Sequence, residues 1–189
     1  MIYKSKELKH YSLNQYKMIF NIILLLYIAG LCAGCSFACK NATNFDFVKQ
    51  VTFTDRMITS AENGILYGNT SLLLRDLIIF ATIFILKYSG ILKGLAICVP
   101  FIFTIQNGSI YYVLLYQYKT SFYQLLFYYV LKDVAIGLML VLFVYITVKD
   151  IFNNREDTTK DFTRLFVYYI CILTIYAIDY LIKSIVYHT

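Results

Sequence analysis

Long apolar stretches alternate with short polar segments along the whole chain. Five of the stretches are each long enough for an α-helix to cross a bilayer core of about 30 Å, given a rise of about 1.5 Å per residue. The pattern therefore predicts an all-α fold, a polytopic membrane helix bundle forming a single integral-membrane domain over residues 1–189. The five predicted transmembrane helices cover residues 18–39, 72–88, 94–118, 133–149 and 165–183.

A sixth apolar stretch, residues 120–131, holds only 12 uncharged residues and is too short to span a bilayer. The charged pair Lys132-Asp133 follows it and leads into the fourth span. We interpret this stretch as a re-entrant half helix that enters the membrane and returns. Such an element is stable only where protein or water satisfies its backbone polar groups. We therefore expect the spanning helices to surround it.

The charged residues between the apolar stretches predict the orientation of the chain in the membrane. Residues 1–17 contain four lysines and one glutamate, which is typical of a cytoplasmic leader. Alternation of five spans then places the segment 40–71 and the C-terminus outside, and the loop 150–164 in the cytoplasm. Ten of the 17 Lys and Arg residues fall on the cytoplasmic side, a mild bias of the expected sign. We predict a multi-pass protein of the cell membrane with a cytoplasmic N-terminus.

Small residues recur in the first predicted span. Gly30 and Gly34 form a G-x-x-x-G pattern, which gives a helix a flat ridge for close packing against another helix. Chance use of small residues explains so short a motif equally well. We take helix packing as the working prediction for Gly30 and Gly34.

Three cysteines in and beside the same span admit other interpretations. Cys32, Cys35 and Cys39 share one helix face, but a metal site would need a fourth ligand and polar support, and neither is visible. The sequence before Cys35 is also close to a bacterial lipoprotein cleavage box. Several later spans make a lipid anchor unnecessary, so we favour packing residues and leave lipidation at Cys35 open.

The outer segment 40–71 is the longest polar part of the chain and balances its charges to zero. Val51 and Ile58 recur at seven-residue spacing, which predicts a short amphipathic helix lying on the membrane surface or against the bundle. The alternative is a docking surface for an external protein partner, with Phe47, Val51 and Ile58 as contacts. The sequence does not separate these two interpretations.

Ionisable residues also lie at the edges of predicted spans. Arg75 and Asp76 are adjacent near the outer end of the second span, where mutual neutralisation is a simpler explanation than a transport site. Asp179 lies late in the fifth span and should face protein or water, or pair with Lys183 four residues later.

Composition narrows the function classes. Sixty per cent of the residues are hydrophobic and the mean hydropathy is +0.65, as expected for a membrane protein. The net charge of +6 comes from scattered basic residues, so we do not expect nucleic acid as a partner. Motifs for phosphate binding, zinc proteolysis and serine hydrolysis do not occur in the sequence, and its two histidines are at opposite ends. We predict a protein that is not an enzyme, with no catalytic, cofactor or metal site.

The order of four short motifs resembles the stage II sporulation protein M family of spore-forming bacteria. These are IAGLCAG in the first span, ILKG at 91–94, LKD at 131–133 without the proline common there, and AIDYL at 177–181. The resemblance implies a non-enzymatic membrane scaffold that anchors two peptidoglycan-degrading partners, the stage II sporulation proteins D and P, during engulfment. The partners expected are thus the lipid bilayer and membrane or extracytoplasmic proteins such as cell-wall hydrolases.

Two other classes remain open. A permease subunit of an ABC-2-type exporter has a similar layout, and residues 1–17 or 149–164 would then contact its ATPase. A small immunity protein or channel-like oligomer is the third class, with the polar residues 106–109 lining a pore. Alternatively, these residues only cap a broken helix.

Overall fold

A computed structural model describes residues 2–41, 66–89, 91–116, 130–153 and 157–188. Within these ranges the chain is helical and contains no strand, so the predicted all-α class is confirmed. The helices are α1 (Ile2–Lys40), α2 (Leu66–Tyr88), a 3₁₀ helix (Lys93–Cys98), α3 (Val99–Tyr116), α4 (Leu131–Phe152) and α5 (Thr158–His188).

In the described part of the chain, four helical stretches are long and apolar enough to cross a membrane. They are Gln15–Lys40, Lys93–Val113, Leu131–Phe152 and Thr158–Ile182. Helix α2, which contains the predicted second span, is not among them and carries Arg75, Asp76 and Lys87. The structure therefore agrees with a multi-span membrane protein. The count of five spans with one re-entrant segment stays a prediction.

Helices α1 and α3 run side by side in the same direction. Gly30 lies against Phe101, and Gly34, one turn later, lies against Ile105. This pair packs more extensively than any other pair of described helices. Its close approach follows from the small residues on both helices, because a glycine leaves room for the neighbouring backbone.

Helix α4 runs antiparallel to α3, and α5 runs antiparallel to α2. Tyr111 near the end of α3 bonds Asp133 near the start of α4. The start of α1 meets the end of α4, where the Tyr16 hydroxyl donates to Asn153. We call the end of the bundle with Lys40, Tyr116 and Leu131 the upper end, and the end with Tyr16, Lys87 and Asn153 the lower end.

The apolar core lies around α4. Ile136, Leu140, Val141 and Val144 are each at most 1% exposed and form a continuous stripe of that helix. At mid-height three aromatic rings pack together from α2, α4 and α5, with centroids 4.9–5.6 Å apart: Phe80, Phe143 and Tyr168. This packing holds the helices in register and positions the polar groups at either end.

Helix α5 is peripheral. Its buried positions Asp161, Leu165, Ile172 and Tyr176 are spaced by four, seven and four residues, so they form one narrow stripe. In its most apolar window only 17% of the residues are buried, against 50% in the corresponding window of α4. The helix therefore touches the bundle along a single face, and most of the side chains on the rest of its circumference are apolar.

Candidate functional site

Charged and polar side chains meet inside the upper half of the bundle, where α2, α3, α4 and α5 converge. Asp76, Lys132 and Asp133 are each no more than 6% exposed. Ionisable groups buried among apolar helices are costly unless they are paired, so such a group of them marks a functional candidate. We call it the upper cluster; its members are Arg75, Asp76, Asn107, Tyr111, Lys132, Asp133 and Tyr176.

The Arg75–Asp76 ion pair is the centre of the upper cluster. The Asp76 Oδ1 atom accepts from Arg75 Nε at 2.9 Å and lies 2.8 Å from the second terminal nitrogen of the guanidinium. The other carboxylate oxygen accepts from the Tyr176 hydroxyl at 2.7 Å. Arg75 also donates to Asn107 Oδ1 at 3.0 Å and lies 4.8 Å from the centroid of the Phe103 ring. One ion pair thus connects α2 to both α3 and α5.

Lys132 and Asp133 bring α4 into the same cluster. The Tyr111 hydroxyl donates to Asp133 Oδ2 at 2.8 Å. The Lys132 ammonium lies 4.6 Å from the centroid of the Tyr176 ring, a cation–π contact. Three buried donor nitrogens of the upper cluster have no hydrogen-bond acceptor among the described residues: Arg75 Nη2, Asn107 Nδ2 and Lys132 Nζ.

A second group of charges ties α2, α4 and α5 together at the lower end. Lys87 forms ion pairs with Asp161 and, at 3.5 Å, with Asp150. Arg164 pairs with the same two carboxylates, and the Tyr88 hydroxyl donates to Asp161 at 2.7 Å. Lys87 is only 4% exposed. Each charge of this group is paired with an opposite charge, so the group connects the three helices without leaving a buried charge unpaired.

The contact between α1 and α3 contains the predicted packing glycines. A Cβ atom added at Gly30 would overlap Thr104 and the Phe101 carbonyl, and one added at Gly34 would overlap the Ile105 carbonyl. From the α3 side, Gly108 approaches the Leu31 carbonyl equally closely. Glycines on both helices thus bring the two backbones into direct contact.

Two side-chain hydrogen bonds cross the same interface. The Ser109 hydroxyl donates to the Gly34 carbonyl at 3.0 Å, and the Cys35 thiol donates to the Gly108 carbonyl at 3.2 Å. Cys32 and Cys39 are exposed, and all five cysteines are free thiols. Cys35 therefore contributes to helix packing in this structure.

Asp179 and the predicted partner surface complete the set of predicted site residues. Asp179 is partly buried on α5, three residues beyond Tyr176. Phe47, Val51 and Ile58 of the predicted partner surface, and the half helix 120–131 except for its last two residues, lie outside the described residues.

Several members of the two charged groups are not evident from the sequence. Tyr111 and Tyr176 are examples, because their hydroxyls donate to buried carboxylates on other helices. The one local signal is the spacing of Asn107 and Tyr111, which places a polar residue and a tyrosine on the same face of α3. The lower-end pairing of Lys87 with Asp161 joins positions 74 residues apart and has no local signature.

The described helices contain no group of three or more His, Cys, Asp or Glu residues that could hold a metal ion. The arrangement offers charge pairing and hydrogen-bond donation. No model of a known protein family matches the chain, and no curated protein or solved structure is significantly similar to it.

Proposed function

We propose that this protein is a non-enzymatic membrane scaffold that crosses the cell membrane five times and holds other membrane or extracytoplasmic proteins. The proposal follows the resemblance of its motifs to the stage II sporulation protein M family, whose partners degrade peptidoglycan. In this proposal α2 crosses the membrane in addition to the four spanning stretches described above. Residues 120–131 re-enter the membrane, and the N-terminus is cytoplasmic.

Burial of its charges supports α2 as a crossing helix. Asp76 is 1% exposed and Lys87 is 4% exposed, and each forms an ion pair inside the bundle. A paired charge that faces protein costs much less within the bilayer than one that faces lipid. The three charged residues of α2 are therefore compatible with a transmembrane position.

The observation that carries the scaffold proposal is the way α5 meets the bundle. Its inner stripe is fixed by ion pairs at the lower end and by Tyr176 at the upper end. Its outer face presents Phe166, Ile170 and Leu173, each about half exposed. A rigidly held helix with a long apolar outer face suits the packing of a partner transmembrane helix.

Co-purification from membranes in mild detergent tests this proposal. We expect cell-wall hydrolases to be enriched with the tagged chain. The triple substitution Phe166→Ala, Ile170→Ala and Leu173→Ala should lower their recovery at least about tenfold, which corresponds to about 1.4 kcal/mol of contact energy. The matched control is a triple substitution to Ala on the exposed face of α4, and it should leave recovery unchanged: Val134, Leu138 and Leu142.

Equal recovery with both triple variants would exclude the α5 face as the partner surface. The predicted surface in the outer segment then becomes the next candidate, and Asp substitutions at Phe47, Val51 and Ile58 test it in the same assay. Enrichment of no partner protein by the unmodified chain would count against any scaffold.

An exporter subunit is the second candidate, favoured by the ionisable groups of the upper cluster. Buried charges among transmembrane helices are a common feature of transport pathways. The same co-purification distinguishes the two functions, because a permease subunit of the ABC-2 type would retain an ATPase in place of the hydrolases.

A further inference from the structure

A groove opens at the upper end of the bundle, between the last turns of α1 and the last turns of α3. Its volume is about 520 Å³, within the range of about 300–1,000 Å³ that is typical of small-molecule sites. Four residues at the end of α1 and four at the end of α3 line it. The groove is therefore large enough for a small molecule or for part of a lipid.

The charge of the groove comes from Lys40. None of the described residues that line the groove is acidic, and Lys40 is the one charged residue among them. The Lys40 side chain is exposed and takes part in none of the ion pairs within the described helices. At the end of α1 the backbone N–H and the side-chain amide of Asn41 both donate to the Phe37 carbonyl, which offsets part of the negative end of that helix. The groove therefore favours an anionic group.

The length of α1 predicts the level of the groove in a membrane. The spanning stretch Gln15–Lys40 has 26 residues, or about 39 Å at a rise of about 1.5 Å per residue, against a hydrocarbon core of about 30 Å. When the stretch is centred, each end extends about 4–5 Å beyond the core and into the headgroup layer. Lys40 is its last residue, so the ammonium lies at the level of the lipid phosphates.

The α3 side of the groove is aromatic and apolar. The rings of Tyr112 and Tyr116 stack with their centroids 4.7 Å apart and their planes at 25°, and half-buried Leu115 also lines the groove. Tyrosine is enriched at the membrane interface, because its ring is apolar and its hydroxyl is polar. This wall can therefore pack against the apolar part of a lipid below its headgroup.

Two other lining residues are held in place by hydrogen bonds that point away from the groove. The Tyr111 hydroxyl donates to Asp133 on α4 at 2.8 Å, and the Cys35 thiol donates to the Gly108 carbonyl at 3.2 Å. These bonds fix both side chains before any ligand arrives. A preformed wall lowers the entropy cost of binding, because fewer side chains become ordered with the ligand.

We propose that this groove binds an anionic phospholipid of the leaflet at the upper end of the bundle. The Lys40 ammonium pairs with the lipid phosphate, and the stacked rings of Tyr112 and Tyr116, with Leu115, pack against the glycerol backbone and the first part of an acyl chain. A soluble anion would gain the charge contact without the apolar one, so the groove favours the lipid. One lysine near an anionic lipid headgroup is worth about fivefold in affinity, or about 1 kcal/mol.

Native mass spectrometry of the full chain in mild detergent tests the proposal. The protein is titrated with phosphatidylglycerol and with phosphatidylcholine of the same acyl chains, and we expect phosphatidylglycerol to bind about fivefold more tightly. Lys40→Gln should remove this preference and leave phosphatidylcholine binding unchanged. Ser36→Trp fills the groove from an exposed position without changing the charge, so binding of both lipids should be lost.

Each variant has a matched control on α1. Lys17→Gln removes an exposed lysine at the opposite end of the same spanning stretch. Cys32→Trp adds the same bulk at an exposed position one turn before Ser36 that does not line the groove. Both controls should bind the two lipids as the unmodified chain does.

Three outcomes would overturn the proposal. They are equal affinity of the unmodified chain for the two lipids, an effect of Lys17→Gln as large as that of Lys40→Gln, and unchanged lipid binding by Ser36→Trp. Displacement of the bound phosphatidylglycerol by an excess of glycerol 3-phosphate would also overturn it, because the site would then bind a soluble anion. The assay needs no partner protein, so its outcome is separate from that of the scaffold proposal.

Discussion

Tyr176 and Asp76 are 100 residues apart in sequence and are joined by a hydrogen bond of 2.7 Å in the interior of the bundle. The bond connects the outermost helix, α5, to the ion pair that α2 contributes. Tyr169, two turns earlier on α5, also donates to the Leu77 carbonyl of α2 at 3.0 Å. The Tyr176–Asp76 bond is thus the upper of two hydrogen bonds that hold α5 against α2.

The Tyr176→Phe substitution isolates this bond, because it removes the hydroxyl and keeps the ring. One Asp76 oxygen then loses its donor in a buried position, and we expect a loss of about 1–3 kcal/mol in the free energy of unfolding. Denaturant unfolding in mild detergent, followed by circular dichroism, measures the loss. Tyr180→Phe, on an exposed position of the same helix, should change stability by less than about 0.5 kcal/mol. Equal effects of the two substitutions would contradict this role of Tyr176.

Direct backbone contact between α1 and α3 leads to a second prediction. A methyl group at Gly34 would overlap the Ile105 carbonyl, which belongs to the backbone and cannot rotate away. We expect Gly34→Ala to destabilise the protein by about 1–3 kcal/mol through overpacking. The measurement is the midpoint of thermal unfolding.

Gly94→Ala is the control for the Gly34 substitution, since nothing lies within 4 Å of a Cβ atom added at Gly94. This change should be neutral or slightly stabilising, because alanine restricts the unfolded chain more than glycine does. A Gly34→Ala protein as stable as Gly94→Ala would show that the two helices can separate at little cost.

The sequence was sufficient for the helical class because apolar stretches of spanning length permit few other folds. It also indicated Gly30 and Gly34, since small residues at helical spacing are recognisable without a partner. Their register against Phe101 and Ile105 depends on the relative shift of two helices, which no local pattern encodes. The contacts of the upper cluster could not be predicted for the same reason. Asp76 contacts Tyr176 only when the helices have the correct order in the bundle and the correct rotation about their axes.

The lower-end ion pairs give a third prediction. Lys87→Met removes the cation that faces Asp161 and Asp150, and Arg164 alone then neutralises two carboxylates. We expect a loss of about 3–5 kcal/mol in unfolding free energy, the range for breaking a buried pair. Chemical unfolding of the detergent-solubilised protein measures it.

The Lys160→Met substitution is the matched control for Lys87. Lys160 pairs with Asp157 at 2.8 Å, but its side chain is 74% exposed, and exposed pairs contribute only about 0–1 kcal/mol. A loss for Lys87→Met no larger than for Lys160→Met would mean that water reaches the lower-end charges and screens them.

The Tyr111–Asp133 hydrogen bond makes the topology of the predicted half helix testable. Tyr111 near the end of α3 and Asp133 near the start of α4 lie at the same end of the bundle, which is the arrangement that the re-entrant prediction requires. We expect cysteines introduced by Tyr116→Cys and Leu131→Cys, in a chain whose native cysteines are replaced by serine, to react with an impermeant maleimide from the same side. Both positions are more than half exposed. Phe152→Cys, at the lower end, provides the reference for the opposite side. Labelling of Tyr116→Cys and Leu131→Cys from opposite sides would require a sixth crossing and would refute the re-entrant interpretation.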